Sequence, residues 1–128
     1  MNKKDLLKKV DSLCLDKDKY CIIASGALLM YGLRDDCADV DLRVSKDLFH
    51  KLRDKYELKQ SDRYDYVFEL GDFDINCKNF CSEDITFVDG YPVESLERQL
   101  EWMLENKRDK DKEKIIAIKK YLERGEIS

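Results

Sequence analysis

The chain has 128 residues, which is enough for one domain and too few for a second of ordinary size. Charged residues make up 41% of it and the formal net charge is −4, which excludes the basic balance of proteins that follow a nucleic-acid backbone over a long footprint. Five cysteines without framework spacing, no apolar run of membrane length and no signal peptide predict a reduced, cytoplasmic protein outside the membrane.

The first thirty residues alternate between helix and strand patterns. Apolar residues at helical spacing predict an amphipathic helix over residues 3 to about 15. The apolar run Tyr20–Ala24, followed by Ser25-Gly26, predicts a buried strand. A short helix follows over Ala27–Tyr31, and Gly32 ends it in the left-handed region that glycine favours.

The segment Asp39–Val44 alternates strictly between charged and apolar residues, which predicts a half-buried strand. Ser45 is a good N-cap for the helix that follows, whose apolar stripe extends to Tyr56. The apolar face of the strand consists of Val40, Leu42 and Val44, and the polar face of Asp39, Asp41 and Arg43.

The middle of the chain predicts further strands. They are expected at Glu57–Lys59, Tyr64–Leu70 and Phe73–Cys77, and Gly71-Asp72 is a two-residue hairpin signal between the last two. Ile85–Val88 is predicted to be a last edge strand.

The C-terminal part predicts helices. Pro92 suits the entry of a helix from Val93 to Asn106, and a final helix is expected from Asp109 to Arg124, ended by Gly125. The predicted fold is therefore α+β, with a small mixed or antiparallel sheet and helices packed on it. We expect one domain over residues 1–128, with an α/β core at 1–90 and C-terminal helices at 91–128.

Three carboxylates indicate a metal site. Asp39 and Asp41 lie on one face of a strand, roughly 6 to 7 Å apart at Cα, and Asp74 lies on the polar face of a hairpin strand. Carboxylates held so close repel one another unless a proton or a cation neutralises them. Mg²⁺ fits, because it binds a few carboxylates together with substrate phosphates. An exposed strand face can also carry two acids by chance. The ordered combination of a Ser-Gly turn between a strand and a helix, an Asp-x-Asp strand and a hairpin Asp is therefore stronger evidence than the Ser-Gly or the Asp-x-Asp motif alone.

The turn at Ser25-Gly26 predicts a phosphate contact. It lies between a strand and a helix, where backbone N–H groups without helical partners attract anions. A phosphate cradle beside carboxylates that hold metal ions is suited to phosphoryl transfer with two metals.

These residues resemble the polymerase-β-like nucleotidyltransferase superfamily, whose signature is a Gly-[Gly/Ser] turn followed by Asp-x-[Asp/Glu]. The resemblance begins with Ala24–Leu28, Arg34 and Asp39–Leu42 and covers roughly residues 20 to 120. The sequence looks closest to the minimal branch that contains the nucleotidyltransferase toxins of abortive-infection toxin–antitoxin systems. Its nucleotidyltransferase-like fold would include a C-terminal helical pair.

The later parts of the chain extend the resemblance and also depart from it. Phe73–Ile75 is similar to the strand with the third carboxylate, and Arg108–Asp111 to an Arg-x-Lys-Asp element of the helical pair. The first glycine of the turn is Ala24 here, and Cys37 replaces a common Ser or Thr. The acid expected after Arg-x-Lys-Asp is Lys114.

The resemblance implies a role for each site residue. Asp39 and Asp41 would hold two Mg²⁺ or Mn²⁺ ions, and Asp74 would complete the ion nearest the acceptor. Ser25 and the N–H of Gly26 would contact the β- and γ-phosphates of a nucleoside triphosphate. Arg34 and Lys110 are candidates for neutralising phosphate charge, and Tyr91 and Trp102 for stacking on a base, although packing explains both aromatic residues more simply.

Two functions from different classes remain open at this point. The first is an enzyme that transfers a nucleoside monophosphate from a nucleoside triphosphate to a hydroxyl of a protein, an RNA end or a small molecule, with release of pyrophosphate. The second is a non-catalytic module that binds a nucleotide or a partner protein, for example within a toxin–antitoxin pair. The three intact carboxylates favour the enzyme, and the departures favour the module. A shared fold does not select the acceptor.

Overall fold

The structure is a computed structural model that describes residues 1–127. Within these residues the seven strands are β1 (Tyr20–Ile23), β2 (Val40–Val44), β3 (Lys59–Gln60), β4 (Phe68–Leu70), β5 (Phe73–Asn76), β6 (Ile85–Val88) and β7 (Tyr91–Glu94). The five α-helices are α1 (Lys3–Ser12), α2 (Ala24–Met30), α3 (Lys46–Lys55), α4 (Leu96–Asn106) and α5 (Lys112–Ile127). Short 3₁₀ turns precede β6 and α5, at Ser82–Asp84 and Asp109–Asp111.

The strands form one mixed sheet in the order β3-β4-β5-β2-β1-β7-β6. β2 lies at its centre, antiparallel to β1 and parallel to β5. The hairpin signal Gly71-Asp72 acts as predicted and joins β4 to β5. A second hairpin, which was not predicted, joins β6 to β7 through Asp89-Gly90. The predicted α+β class with a mixed sheet is therefore confirmed.

The main core lies between one face of the sheet and three helices. The alternation in β2 directs Val40, Leu42 and Val44 into this core, each with no exposed surface. Helices α1, α2 and α3 cover the same face, and Leu6 and Leu52 are among the residues they bury there. The opposite face of the sheet carries the charged residues of β2, so the core leaves that face available for a site.

A second apolar cluster joins the C-terminal helices to the rest of the chain. Leu28 of α2 packs with Leu96 and Met103 of α4 and with Ile118 of α5. Since α2 also contributes to the main core, it is packed on both sides. The expected C-terminal helical pair is thus present and in contact with the sheet domain through α2.

The prediction of a helix entry at Pro92 was wrong. Tyr91–Glu94 forms β7, and the helix begins at Leu96 with Ser95 as its N-cap, whose hydroxyl accepts a hydrogen bond from the Arg98 N–H. Pairing with β6 through Asp89-Gly90 explains the difference, because a tight hairpin places the residues after the turn beside the previous strand.

Other boundaries also shift. Helix α2 begins at Ala24, three residues before the predicted start, so Ser25 and Gly26 belong to its first turn. The strand predicted at Tyr64–Leu70 is limited to β4, because residues 61–67 form a loop. Helix α5 continues past Gly125 to Ile127.

None of the helices between residues 1 and 127 combines the length and apolar composition that a membrane crossing requires.

Candidate functional site

A cleft of about 750 Å³ opens on the charged face of the sheet. Its floor includes Asp41 and Arg43 of β2 and Asp74 of β5. One wall comes from the loop between β3 and β4, and the other from helix α4 and the segment that follows it. Residues from distant parts of the chain meet here because β2 is central in the sheet.

The pairing of β2 with β5 places two carboxylates side by side. In this parallel pair Asp41 is in register with Asp74, so their side chains project from the same face. Asp39 comes immediately before β2, is exposed and also lines the cleft. The structure therefore brings Asp39, Asp41 and Asp74 together in the lining of one cleft.

The crowding of these acids changes their protonation. Burial, followed by the charges of Asp74 and Asp39, raises the pKa of Asp41 to about 7. Burial also raises the pKa of Asp74, together with the charges of Asp39 and Glu69. The carboxyl groups of Asp41 and Asp74 are close enough to share a hydrogen bond. A shared proton is the expected state of two adjacent carboxylates without a cation.

The donor chemistry of this cluster fits a hard divalent cation, since all three side chains offer only oxygen ligands. No group of three or more His, Cys, Asp or Glu side chains in the described part of the chain is already arranged to hold a metal ion.

Ser25 lines the cleft, but Gly26 does not. Gly26 is buried, and a Cβ atom there would lie 3.1 Å from Cγ2 of Ile22 and 3.2 Å from Cδ1 of Leu6. Close packing of α2 against β1 and α1 thus explains this glycine. Ala24 has φ +56, in the left-handed region, so this position adopts the backbone conformation that a glycine would adopt without strain.

Two of the cations suggested by the sequence lie outside the cleft lining. Arg34 donates from Nε to the carbonyl of Asp36 in the loop before β2, and Lys110 is exposed in the 3₁₀ turn before α5. Tyr91 also lies elsewhere, where its hydroxyl donates to the carboxylate of Asp11. The basic residues that line the cleft are Arg43, Arg63, Lys78, Arg98, Arg108 and Lys114.

Sequence reasoning assigned no role to several polar residues that line the cleft, among them Arg43, Glu94, Arg98 and Gln99. Arg43 donates to the carboxylate of Glu94, and both side chains are largely buried. Among described residues, three buried side-chain atoms in the cleft lining have no hydrogen-bond partner: Nε of Arg43, Nη1 of Arg98 and Oε1 of Gln99. The only available signal was the position of Arg43 two residues after Asp41, on the same strand face.

The helical wall contains a further charged cluster. Asp111 has no exposed surface and accepts two hydrogen bonds from Arg108, at 2.7 Å from Nε and 3.1 Å from Nη2. The guanidinium carbon of Arg108 lies 4.5 Å from the ring centroid of Trp102. The Nζ atom of Lys114 lies 3.7 Å from Oδ1 of Asp111. Trp102, Arg108 and Lys114 all line the cleft.

Comparison with known proteins gives one informative match. The chain matches no protein-family model and no curated protein. It is similar to a solved structure from Thermotoga maritima, described as a "putative nucleotidyltransferase", with a TM-score of 0.57 and 16% sequence identity. The similarity covers 97% of this chain and 96% of the other. At this identity the likeness concerns the fold, and we conclude that the chain has a nucleotidyltransferase-like fold.

Proposed function

We propose that the protein is a nucleotidyltransferase, which moves a nucleoside monophosphate from a nucleoside triphosphate to a hydroxyl acceptor and releases pyrophosphate. The observation that carries the proposal is the register of Asp41 with Asp74 on the floor of a cleft that Asp39 also lines. Three carboxylates in a cleft that basic residues also line suit a substrate that is both metal-bound and highly anionic. The nucleotidyltransferase-like fold supports the same conclusion.

Asp39, Asp41 and Asp74 would hold Mg²⁺ or Mn²⁺. When bound, the metal would stabilise charge on the phosphates and favour the deprotonated acceptor hydroxyl. Asp41 and Asp74 must lose their shared proton for this role, and the raised pKa of Asp41, about 7, places that loss close to neutral pH. Asp41 and Asp74 hold their two carboxyl groups side by side, because they project from the paired strands β2 and β5.

The remaining assignments concern the nucleotide. Ser25, in the first turn of α2 and in the cleft lining, is the candidate for a phosphate contact. Arg34 and Lys110 lie outside that lining, so we assign charge neutralisation to basic residues within it. Trp102 is 39% exposed in the cleft and could contact the nucleoside.

Label transfer tests the activity. We expect the wild type, incubated with Mg²⁺, labelled nucleoside triphosphate and cell extract, to label an acceptor, and the labelled species then shows whether this is a protein, an RNA end or a small molecule. Asp74→Asn should reduce transfer by roughly a hundredfold or more, the scale of a lost metal-activation contribution. Nucleotide binding should stay within about tenfold, because the substitution keeps size and hydrogen bonding.

Asp72→Asn is the matched control, since it makes the same chemical change two residues earlier, outside the cleft lining. It should transfer label like the wild type. If the wild type transfers no label with any of the four nucleotides and either metal, while Mg²⁺ and nucleotide still raise its melting temperature, the non-catalytic binding module replaces the enzyme.

A further inference from the structure

A fully buried carboxylate behind the helical wall of the cleft has no role in the proposed chemistry. Asp111 is 0% exposed and is absent from the cleft lining, but both of its cationic partners are in that lining. Burial of a charged group is costly unless strong partners compensate for it. Here the partners are the two-pronged hydrogen bonds from Arg108 and the ammonium group of Lys114.

These contacts limit the orientations of the Arg108 and Lys114 side chains. The bonds to Asp111 use Nε and Nη2 of Arg108, which leaves Nη1 free of Asp111. Stacking on Trp102 limits rotation of the guanidinium plane. Arg108 and Lys114 are each about one third exposed, so both charges reach the cleft. Two cations around one anion leave a net positive charge at this wall.

The geometry points to a phosphate-binding subsite formed by Arg108 and Lys114, with Asp111 as the residue that positions them. This inference rests on the proposed function and deepens it, because it assigns the residues of the cleft that would contact the phosphate chain. A guanidinium edge and a neighbouring ammonium match the oxygens of a phosphate group. Arg108 and Lys114 line the same cleft as Asp39, Asp41 and Asp74, which places these cations and the three carboxylates around one shared space.

Lys114→Gln provides the primary test. The probes are ATP and inorganic tripolyphosphate, each with Mg²⁺, and the measurement is the dissociation constant from calorimetry. Tripolyphosphate carries the phosphates without a nucleoside, so a phosphate contact should weaken both ligands by the same factor, roughly tenfold. Lys114 is partly exposed, so its substitution should leave the fold intact.

Lys112→Gln is the control, because Lys112 is on the same helix with a 75% exposed side chain and lies outside the cleft lining. It should bind both probes like the wild type. Lys114→Gln with unchanged binding of both probes, or with weakened ATP but unchanged tripolyphosphate binding, overturns the phosphate subsite.

Asp111→Asn tests the positioning role. It should weaken binding of both probes, although Asp111 cannot touch them, and its effect should be smaller in the Lys114→Gln background than alone, because both changes act on one cluster. Full additivity overturns the positioning role. If the variant fails to fold, Arg108→Gln combined with Asp111→Asn, which removes the buried carboxylate together with its hydrogen-bonded partner, should weaken binding of both probes, and unchanged binding would overturn the subsite.

The results also separate this inference from the proposed function. If the wild type binds neither probe, both are wrong. If it binds both and Asp39→Asn abolishes binding while Lys114→Gln has no effect, the proposed function survives without this subsite. If Lys114→Gln weakens binding but Asp39→Asn does not, the subsite stands and the metal assignment fails.

Discussion

Asp41 and Asp74 show how protonation in the cleft depends on the placement of a single pair of residues. Each is an ordinary acid on a strand, and only their register in the β2–β5 pair brings the two carboxyl groups together. Between pH 3.8 and about 7, the folded chain therefore holds a proton that the unfolded chain has already released. The pair therefore links folding to pH.

This linkage has a definite sign. Because the pKa of Asp41 is raised in the folded state, its contribution to stability is fully present below pH 3.8 and is lost as pH rises to about 7. Relative to wild type, Asp41→Asn should gain roughly 1 to 3 kcal/mol in free energy of unfolding between pH 4 and pH 8, without metal. Urea unfolding at a series of pH values measures this difference. Asp72→Asn should show no such gain, because Lys9 lowers the pKa of Asp72. A pH-independent difference between wild type and Asp41→Asn contradicts the linkage.

The cysteines should differ in reactivity according to burial. Cys21 and Cys37 are each 2% exposed, and burial raises the pKa of both, to about 12 for Cys21. The thiolate is the reactive form, so neither should be alkylated in the native protein at pH 8. Cys14 and Cys81 are exposed and should react with iodoacetamide within the same period. Peptide mass spectrometry locates the labels, and modification of Cys21 before unfolding would show that this burial is wrong.

At the scale of elements, α2 contributes to both apolar clusters, and its first turn lines the cleft with Ser25. It follows β1 without a loop, which is possible because Ala24 turns the chain with φ +56. An L-residue in this region carries strain of about 1 to 2 kcal/mol. Gly26 then allows the helix to approach Ile22 and Leu6 closely. Two small residues with different roles thus set the entry of this helix.

Ala24→Gly should raise the free energy of unfolding by about 0.5 to 1 kcal/mol. The substitution relieves left-handed strain, and this gain exceeds the added entropy of glycine in the unfolded chain. Ala27→Gly, in the same helix but fully buried in the main core, should be destabilising by about 1 kcal/mol or more. Chemical denaturation of the three proteins at one pH provides the comparison. Equal destabilisation by both glycines would contradict the strain at Ala24.

At the scale of the whole molecule, the C-terminal helices share a core with the sheet domain. Ile118 of α5 has no exposed surface and packs with Leu28 of α2 and with two residues of α4. This arrangement favours one cooperative unit over the chain, in line with the single domain expected from its length.

Ile118→Ala should lower the free energy of unfolding by about 2 to 4 kcal/mol through loss of buried surface and a residual cavity. The single tryptophan, Trp102, reports on α4 by fluorescence, and far-UV circular dichroism reports on the whole chain. Both signals should change in one transition, in the wild type and in the variant. Ile116→Ala is the control, since Ile116 is 54% exposed on the same helix and should change stability by less than about 0.5 kcal/mol. Separate transitions for the two signals would contradict a single unit.

Local patterns determined much of this fold. The alternation in residues 39–44 predicts β2 and its two faces, because side chains of a strand alternate by geometry alone. Ser45 and Gly71-Asp72 act as predicted, because caps and tight turns depend on a few adjacent residues. Tyr91–Glu94 was predicted wrongly: Pro92 suggests a helix entry, and pairing with β6 on one side and β1 on the other makes the segment a strand.

The candidate site also combines features that the local sequence predicts with features that only the tertiary structure decides. The spacing of Asp39 and Asp41 predicts one polar strand face without knowledge of the rest of the chain. The structure keeps Asp41 on β2 and places Asp39 immediately before the strand. Only the tertiary structure decided which strand lies beside them and which cations face the cleft. The sequence pattern favours Lys110, which belongs to the Arg-x-Lys-Asp element, yet of the two lysines only Lys114 lines the cleft. The physical reason is that packing of α4 and α5 on α2 decides which side chains near the start of α5 face the cleft. This packing involves contacts between residues far apart in the chain.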